Sequence, residues 1–233
     1  MVKHKVKITD IIEEAQGTKT FLLEKPENFT WMEGAHTHIG MLGFDEGETP
    51  NKAWVRHMSI MTLPEDNKIG ITTRVYPPFS EFKGKLSGLQ AGDEVVLFKV
   101  GSRMYLRREE KSVVLVSMGV GIATMRPLIK SFMKDQTGIR ELTSLTIDSS
   151  ETFIYKNELD QLYNPKLTKY FTGTRKEFFE MLNVISEDID AYYYVVGSDD
   201  FLKDIIKYLK NKNIPENYIL LDKKEELLAD YFR

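Results

Sequence analysis

The chain contains no cysteine at all. That absence excludes a disulfide framework, a thiolate zinc site, a cysteine nucleophile and a cysteine-ligated iron–sulfur cluster. Histidine is scarce: His4, His36, His38 and His57 are the only four. His36 and His38 are spaced to share one face of a strand, but a metal site there would need further ligands, and no metal is expected. Charge of either sign is not in excess. A net charge of −3 sets up no basic field for nucleic acid or lipid. No apolar run approaches the roughly 20 residues that span a bilayer, and the opening MVKHKVKITD lacks the apolar stretch of a signal peptide. The expectation is a cytoplasmic protein with no nucleic-acid or membrane partner, a monomer or weak dimer. A complete Gly-x-Gly-x-x-Gly fingerprint is also missing.

What is present divides into two patterns. Residues 1–108 carry short strand-like runs, among them Val6 to Ile12, His36 to Leu42, Trp54 to Ile60, Lys68 to Val75 and Glu94 to Val100. Turn-like stretches separate them. This spacing predicts an antiparallel six-stranded β-barrel. Residues 109–233 alternate apolar runs such as Ser112 to Ser117 (SVVLVS) and Tyr192 to Val196 (YYYVV) with helical patterns. Continuous apolar strands alternating with helices predict a parallel sheet covered on both faces, a Rossmann-like α/β domain. The charged run Arg107–Lys111 marks the change between an all-β half and an α/β half.

Four segments could carry chemistry. Gly119 and Gly121 follow a buried strand and precede a helix, where glycine permits a sharp turn and close approach of backbone amides to a phosphate. An unliganded βα turn explains them equally well. Gly197 ends a second buried strand, and Ser198 can cap the next helix. Two such strand ends at one edge of a parallel sheet frame a ligand crevice. Arg56-His57-Met58-Ser59 lies in a strand of the first half, Arg56 and Met58 on one face and His57 and Ser59 on the other. Finally, Arg74 precedes Pro77 and Pro78, which stop a strand, and Ser80 fits the N-cap of a short helix bearing Phe82 and Leu86.

In order and spacing, these segments resemble the ferredoxin–NADP reductase superfamily across nearly the whole chain. The quoted matches are Arg56-His57-Met58-Ser59, Ser80, Gly92-Asp93, Gly119-Val120-Gly121-Ile122-Ala123-Thr124 and Val196-Gly197-Ser198. The resemblance implies a flavin-dependent oxidoreductase that takes hydride from NADPH or NADH onto FAD, with FMN as the alternative, and passes electrons on singly. It places Arg56 on the flavin pyrophosphate, His57 beside it, Met58 against the isoalloxazine ring and Ser59, the catalytic candidate, near flavin N5. The helix after Ser80 and Arg74 would help hold the pyrophosphate. Gly119, Gly121, Ile122 and Thr124 would surround the nicotinamide cofactor's pyrophosphate, and Gly197 and Ser198 would lie near the nicotinamide. Met58 stands where relatives carry an aromatic residue, Val196 where many carry cysteine, and Thr124 where they carry proline.

Thr174-Arg175 resembles the pair that grips a 2′-phosphate, which leans toward NADPH. Against it, Asp148 and Glu151 offer carboxylates suited to a ribose hydroxyl. Ferredoxin, flavodoxin or an oxygenase is the class of acceptor implied. Lys83, Lys85, Arg103, Arg107 and Arg108 are candidates for a basic docking surface. Tyr231 and Phe232 read as packing residues of a terminal helix. The rival reading is a flavin- or nucleotide-binding regulatory or electron-transfer subunit of a larger complex, without independent turnover.

Overall fold

The computed structural model describes residues 2–232. They form two compact units, the first ending at Ser102 and the second beginning at Arg103. The charged run 107–111 thus lies inside the second unit.

In the first unit six strands surround a shared core, the fifth being buried along its whole middle (69–73) and the fourth half-buried throughout. They are β1 (Lys3–Ala15), β2 (Thr18–Glu24), β3 (Ala35–Met41), β4 (Val55–Ser59), β5 (Lys68–Arg74) and β6 (Glu94–Ser102). They form one sheet in the order β4-β3-β6-β1-β2-β5, with antiparallel neighbours. The sheet curls on itself. Its two ends meet just beyond β4, where the Met61 amide donates to the Gly70 carbonyl of β5 at 2.9 Å and the Gly70 amide donates to the Thr62 hydroxyl at 2.9 Å. Val6, Ile8, Phe21, Leu23, Ile69, Ile71, Val95 and Leu97 fill the interior. The short helix α1 (Glu81–Ser87) adds Phe82 and Leu86 to that core. Each such side chain, fully buried, contributes about 1.5–3 kcal/mol.

The second unit alternates strand and helix, as its sequence predicts. The order is β7 (Lys111–Met118), α2 (Ile122–Lys134), β8 (Ile139–Ile147), α3 (Lys156–Asp160), β9 (Leu167–Thr172), α4 (Arg175–Ile185), β10 (Ala191–Val196), α5 (Asp199–Asn211), β11 (Ile219–Leu221) and α6 (Glu225–Phe232). The sheet runs β11-β10-β7-β8-β9, parallel throughout. The chain therefore starts at the centre, winds outward through β9, and returns to the other side of β7 as β10. On one face, Val114, Val116, Tyr193 and Val195 pack against Phe178 and Leu182 of α4 and Phe201, Leu202, Ile205 and Leu209 of α5. Helix α2 lies over β7 and β8, and none of its residues belongs to that cluster. Tyr231 and Phe232 pack against it from α6. Helix α3 is shorter than the sequence pattern over 155–163 suggests. Tyr155 takes a left-handed conformation (φ +61°), and the chain leaves the helix after Asp160, with Tyr163 exposed.

Gly70 is the point on which barrel closure turns. A Cβ there would lie 2.4 Å from the Met61 sulfur and 2.9 Å from Thr62 Cγ2. Gly70→Ala is expected to lower the denaturant midpoint, at unchanged slope, by an amount equivalent to about 1–3 kcal/mol; a midpoint equal to that of the parent chain would show that the seam is not tightly closed.

Candidate functional site

In the first unit the strand register decides which way each residue of β4 faces. Met58 pairs with Thr37 and Arg56 with Ile39, whereas His57 pairs with His38 and Ser59 with His36. Thr37 and Ile39 are buried, so Arg56 and Met58 take the barrel side and His57 and Ser59 the outer side. Met58 is half-buried and packs against the barrel core. On the outer side the His57 and His36 rings stack, centroids 4.0 Å apart, and His38 lies 5.4 Å from His57. No three ligating side chains within this unit converge among the described residues.

Arg56 turns toward α1. Its Nη1 donates to the Val55 carbonyl at 2.7 Å, and its guanidinium lies 5.6 Å from the Phe82 ring. Beside it is Lys83, whose ammonium donates to the Thr73 hydroxyl. Burial, and then the Arg56 charge, push the Lys83 pKa down to about 8. Two cations thus share a half-buried position on the flank of α1. Ser80 caps that helix, its hydroxyl accepting from the Lys83 amide at 3.4 Å. Arg74 is at the exposed end of β5. After it, Tyr76 and Phe79 are exposed, 66% and 44%, on either side of Pro77 and Pro78.

The sequence reads Lys83 as a docking-surface candidate; the structure sets it half-buried beside Arg56. The sequence signal is only its place three residues after the cap; its burial beside Arg56 is a product of tertiary packing. The other members of that expected surface also have intramolecular partners. Lys85 lies 3.7 Å above the Trp54 ring, Arg103 pairs with Glu225 at 3.1 Å, and Arg107 lies 5.2 Å from the Tyr192 ring. Arg108 donates to the Asp135 and Thr137 carbonyls at 2.9 Å.

In the second unit the strands β7 and β10 are neighbours, and the chain leaves both at the same edge. This is the switch point of the sheet, where ligands of open α/β folds bind. Gly119 takes φ +55°, a left-handed conformation that favours glycine. Gly121 sits so close to β10 that a Cβ would lie 2.8 Å from the Val196 carbonyl oxygen. The bend is a short 3-10 turn that runs directly into α2: the Ile122 amide donates back to the Gly119 and Val120 carbonyls, and no side chain caps the helix. Ile122 and Thr124 are 1% and 3% exposed and Gly119 and Gly121 are buried too, so the side chains of Ile122 and Thr124 are turned into the protein and the glycine bend is itself packed. At the end of β10, Gly197 makes room for the Phe201 ring, which a Cβ would approach to 2.4 Å. The Ser198 hydroxyl caps α5, accepting from the Phe201 amide at 3.3 Å. Asp199, next in sequence, accepts from Lys223 and Tyr231, both at 2.7 Å; these bonds hold its carboxyl below the usual range and tie α6 to the start of α5.

At the far side of the sheet, Thr174 closes a capping box with Glu177 at the start of α4. Arg175 is 67% exposed and paired with Asp204 of α5 at 3.0 Å. The residue beside this turn is Glu151: a Cβ on Gly173 would lie 2.7 Å from its Oε1.

Comparison with known proteins agrees with this architecture. No protein-family model matches the chain. A ferredoxin NADP+ reductase from Neisseria gonorrhoeae, solved with bound FAD and NADP, superposes with a TM-score of 0.74 at 15% identity, over 94% of this chain and 98% of that one. The chain has the ferredoxin–NADP reductase fold. Among other structures with this reductase fold, a flavohemoglobin from Malassezia yamatoensis, with bound FAD and heme, gives a TM-score of 0.76 at 13% identity over 95% of this chain and 60% of that one. Phthalate dioxygenase reductase gives 0.74 at 18% identity, over 94% and 67%. In sequence, the flavohemoprotein of Candida albicans is 26% identical over 185 residues, which cover 69% of this chain and 44% of that protein. The chain thus spans less than half the length of the curated relative it matches.

The Arg56–Lys83 pair gives a direct test. Between pH 8 and 10.5 the unfolded chain holds the Lys83 proton that the folded chain has released, so this group makes stability rise with pH through that window. Below pH 8 the buried charge is costly, and a bound anion relieves that cost. Inorganic pyrophosphate is expected to raise the melting temperature of the flavin-free chain at pH 7 more than at pH 9.5. Lys83→Met is expected to raise it without pyrophosphate and to abolish the response; an equal response at both pH values would remove the anion site.

Proposed function

We propose that the chain is an NAD(P)H-dependent flavoprotein reductase that takes hydride from the nicotinamide nucleotide onto FAD and delivers electrons to an acceptor of the ferredoxin, flavodoxin or oxygenase class. The observation that carries this reading is the half-buried Arg56–Lys83 pair. Two like charges held together away from bulk water destabilise a fold unless an anion joins them, and a dinucleotide pyrophosphate supplies negative charge for both. A guanidinium fork and a donor ammonium are the chemistry such a group requires. Bound flavin would supply hydride acceptance at N5 and release of electrons one at a time.

The chain's own residues orient and balance charge. Arg56 and Lys83 would hold the flavin pyrophosphate, with Arg74 at the rim. The exposed rings of Tyr76 and Phe79 offer faces for an adenine, which favours FAD over FMN. On the outer side of β4, Ser59 and His57 are the groups available to the flavin ring. In the second unit the amides at Gly119–Gly121 would receive the nicotinamide nucleotide's pyrophosphate, and Gly197 and Ser198 would border the nicotinamide end. FAD in two of the structural relatives, and NADP in one, support the assignment.

NADH fits the adenosine end better than NADPH. Glu151 beside Gly173 presents a carboxylate that can accept from a ribose 2′-hydroxyl and would repel a 2′-phosphate. Arg175 is engaged with Asp204. This reverses the lean that Thr174-Arg175 suggests in the sequence alone.

Anaerobic titration of the purified chain tests both levels. A yellow protein that bleaches with NADH is expected; a colourless protein that refuses added FAD sinks the flavin reading. Glu151→Gln is expected to lower the preference for NADH over NADPH by about tenfold, equivalent to about 1.4 kcal/mol, while Arg175→Ala leaves it unchanged. A wild-type preference for NADPH that Arg175→Ala abolishes would overturn the assignment to NADH.

A further inference from the structure

We propose that Arg126 is a positioning residue for nucleotide selection, acting through the turn that carries Glu151. The inference rests on the reading of the second unit as the NADH site.

Arg126 lies in the second turn of α2, just beyond the glycine bend. Its Nε and Nη2 donate to the two carboxylate oxygens of Glu158 on α3, each at 2.6 Å. This is the paired fork geometry that fixes both groups in direction as well as distance. The Arg126 side chain is 11% exposed and that of Glu158 38%, so the pair is shielded from the arginine side. Lys130 adds a longer contact to the same carboxylate at 3.8 Å.

The guanidinium also lies 5.5 Å from the ring of Tyr155. Tyr155 is the residue that starts α3, and its φ of +61° is uncommon for a bulky side chain. Glu151, near the other end of the same turn, holds φ +54°. Two left-handed residues persist in a turn of this length only where the surroundings fix them. Three anchors do so. Asp148 accepts from the Ser150 amide at 2.9 Å and hydroxyl at 2.7 Å. Phe153 packs on Phe171 of β9, centroids 5.3 Å apart. Arg126 holds Tyr155 and α3 from the other side.

The helix that begins at the pyrophosphate bend is thus clamped to the turn that sets the carboxylate beside Gly173. Loss of the clamp would free Tyr155 and widen the range of positions open to Glu151, so that the 2′-position of the ribose is no longer discriminated.

The test is calorimetric titration of the flavin-loaded chain with NADH and with NADPH. R126M and E158Q are each expected to weaken NADH binding about tenfold and NADPH binding by no more than about twofold, and the charge-swapped pair R126E/E158R to recover much of the preference. Because removing one partner of a shielded pair can compromise folding, Y155G serves as a second probe. Glycine accepts the left-handed backbone, and the variant removes only the ring under Arg126. It is expected to lose the preference at a melting temperature close to the parent's. Variants that melt lower yet keep the parental NADH-to-NADPH ratio would show Arg126 to be structural only, and a Y155G protein that keeps the ratio would do the same. A parent chain that binds neither nucleotide would overturn the nucleotide reading itself, and this inference with it.

Discussion

The pairing of β10 against β7 is the constraint from which the second unit's chemistry follows. The chain winds outward from β7 through β8 to β9. To bury the apolar run Tyr192–Val196 on both faces, the chain must then return to the free side of β7. That return places two carboxyl ends side by side, with α2 and α5 leaving on opposite faces. Gly121 is the local consequence. Only a residue without Cβ lets the bend after β7 close to within contact of the Val196 carbonyl. The same requirement recurs at Gly197, where the Phe201 ring occupies the space a side chain would need. The glycines at this edge are therefore set first by packing, and Gly119 and Gly121 are themselves buried.

The first unit solves a different problem. Its barrel closes through a seam at Met61 and Gly70, and α1 plugs the interior with Phe82 and Leu86. The side of α1 that remains carries Lys83 against Arg56. A fold optimised for stability alone would not place them so, since each cation weakens the other and both lose solvation. On the proposed reading, such an arrangement gives up stability in the empty protein for affinity when an anion arrives, a trade familiar at functional sites.

In the proposed nucleotide site, selection at the adenosine end is a matter of small displacements. Glu151 stands on a turn whose backbone is locally unfavourable at two residues, and the turn is secured by contacts to β9 and to α2. On the proposed reading, the specificity of this site depends on residues that never meet the nucleotide. The Arg175 guanidinium, for its part, is engaged by Asp204 on a neighbouring helix.

Much of this was legible in the amino-acid sequence. The alternation of short strands in the first half and of apolar runs with helices in the second follows from periods of two and 3.6 residues, which are local properties. The turn glycines and the caps Ser80, Thr174 and Ser198 follow from backbone chemistry that acts within a few residues. What the sequence could not fix is which side chains meet across the fold. Lys83 looks like any surface lysine until α1 docks beside β4, and Thr124 looks like a crevice residue until α2 turns it inward. Glu151 and Gly173 are 22 residues apart in the chain and touch only because β8 and β9 pair. Burial and the proximity of charges depend on packing between distant segments, and packing is decided by the tertiary structure alone.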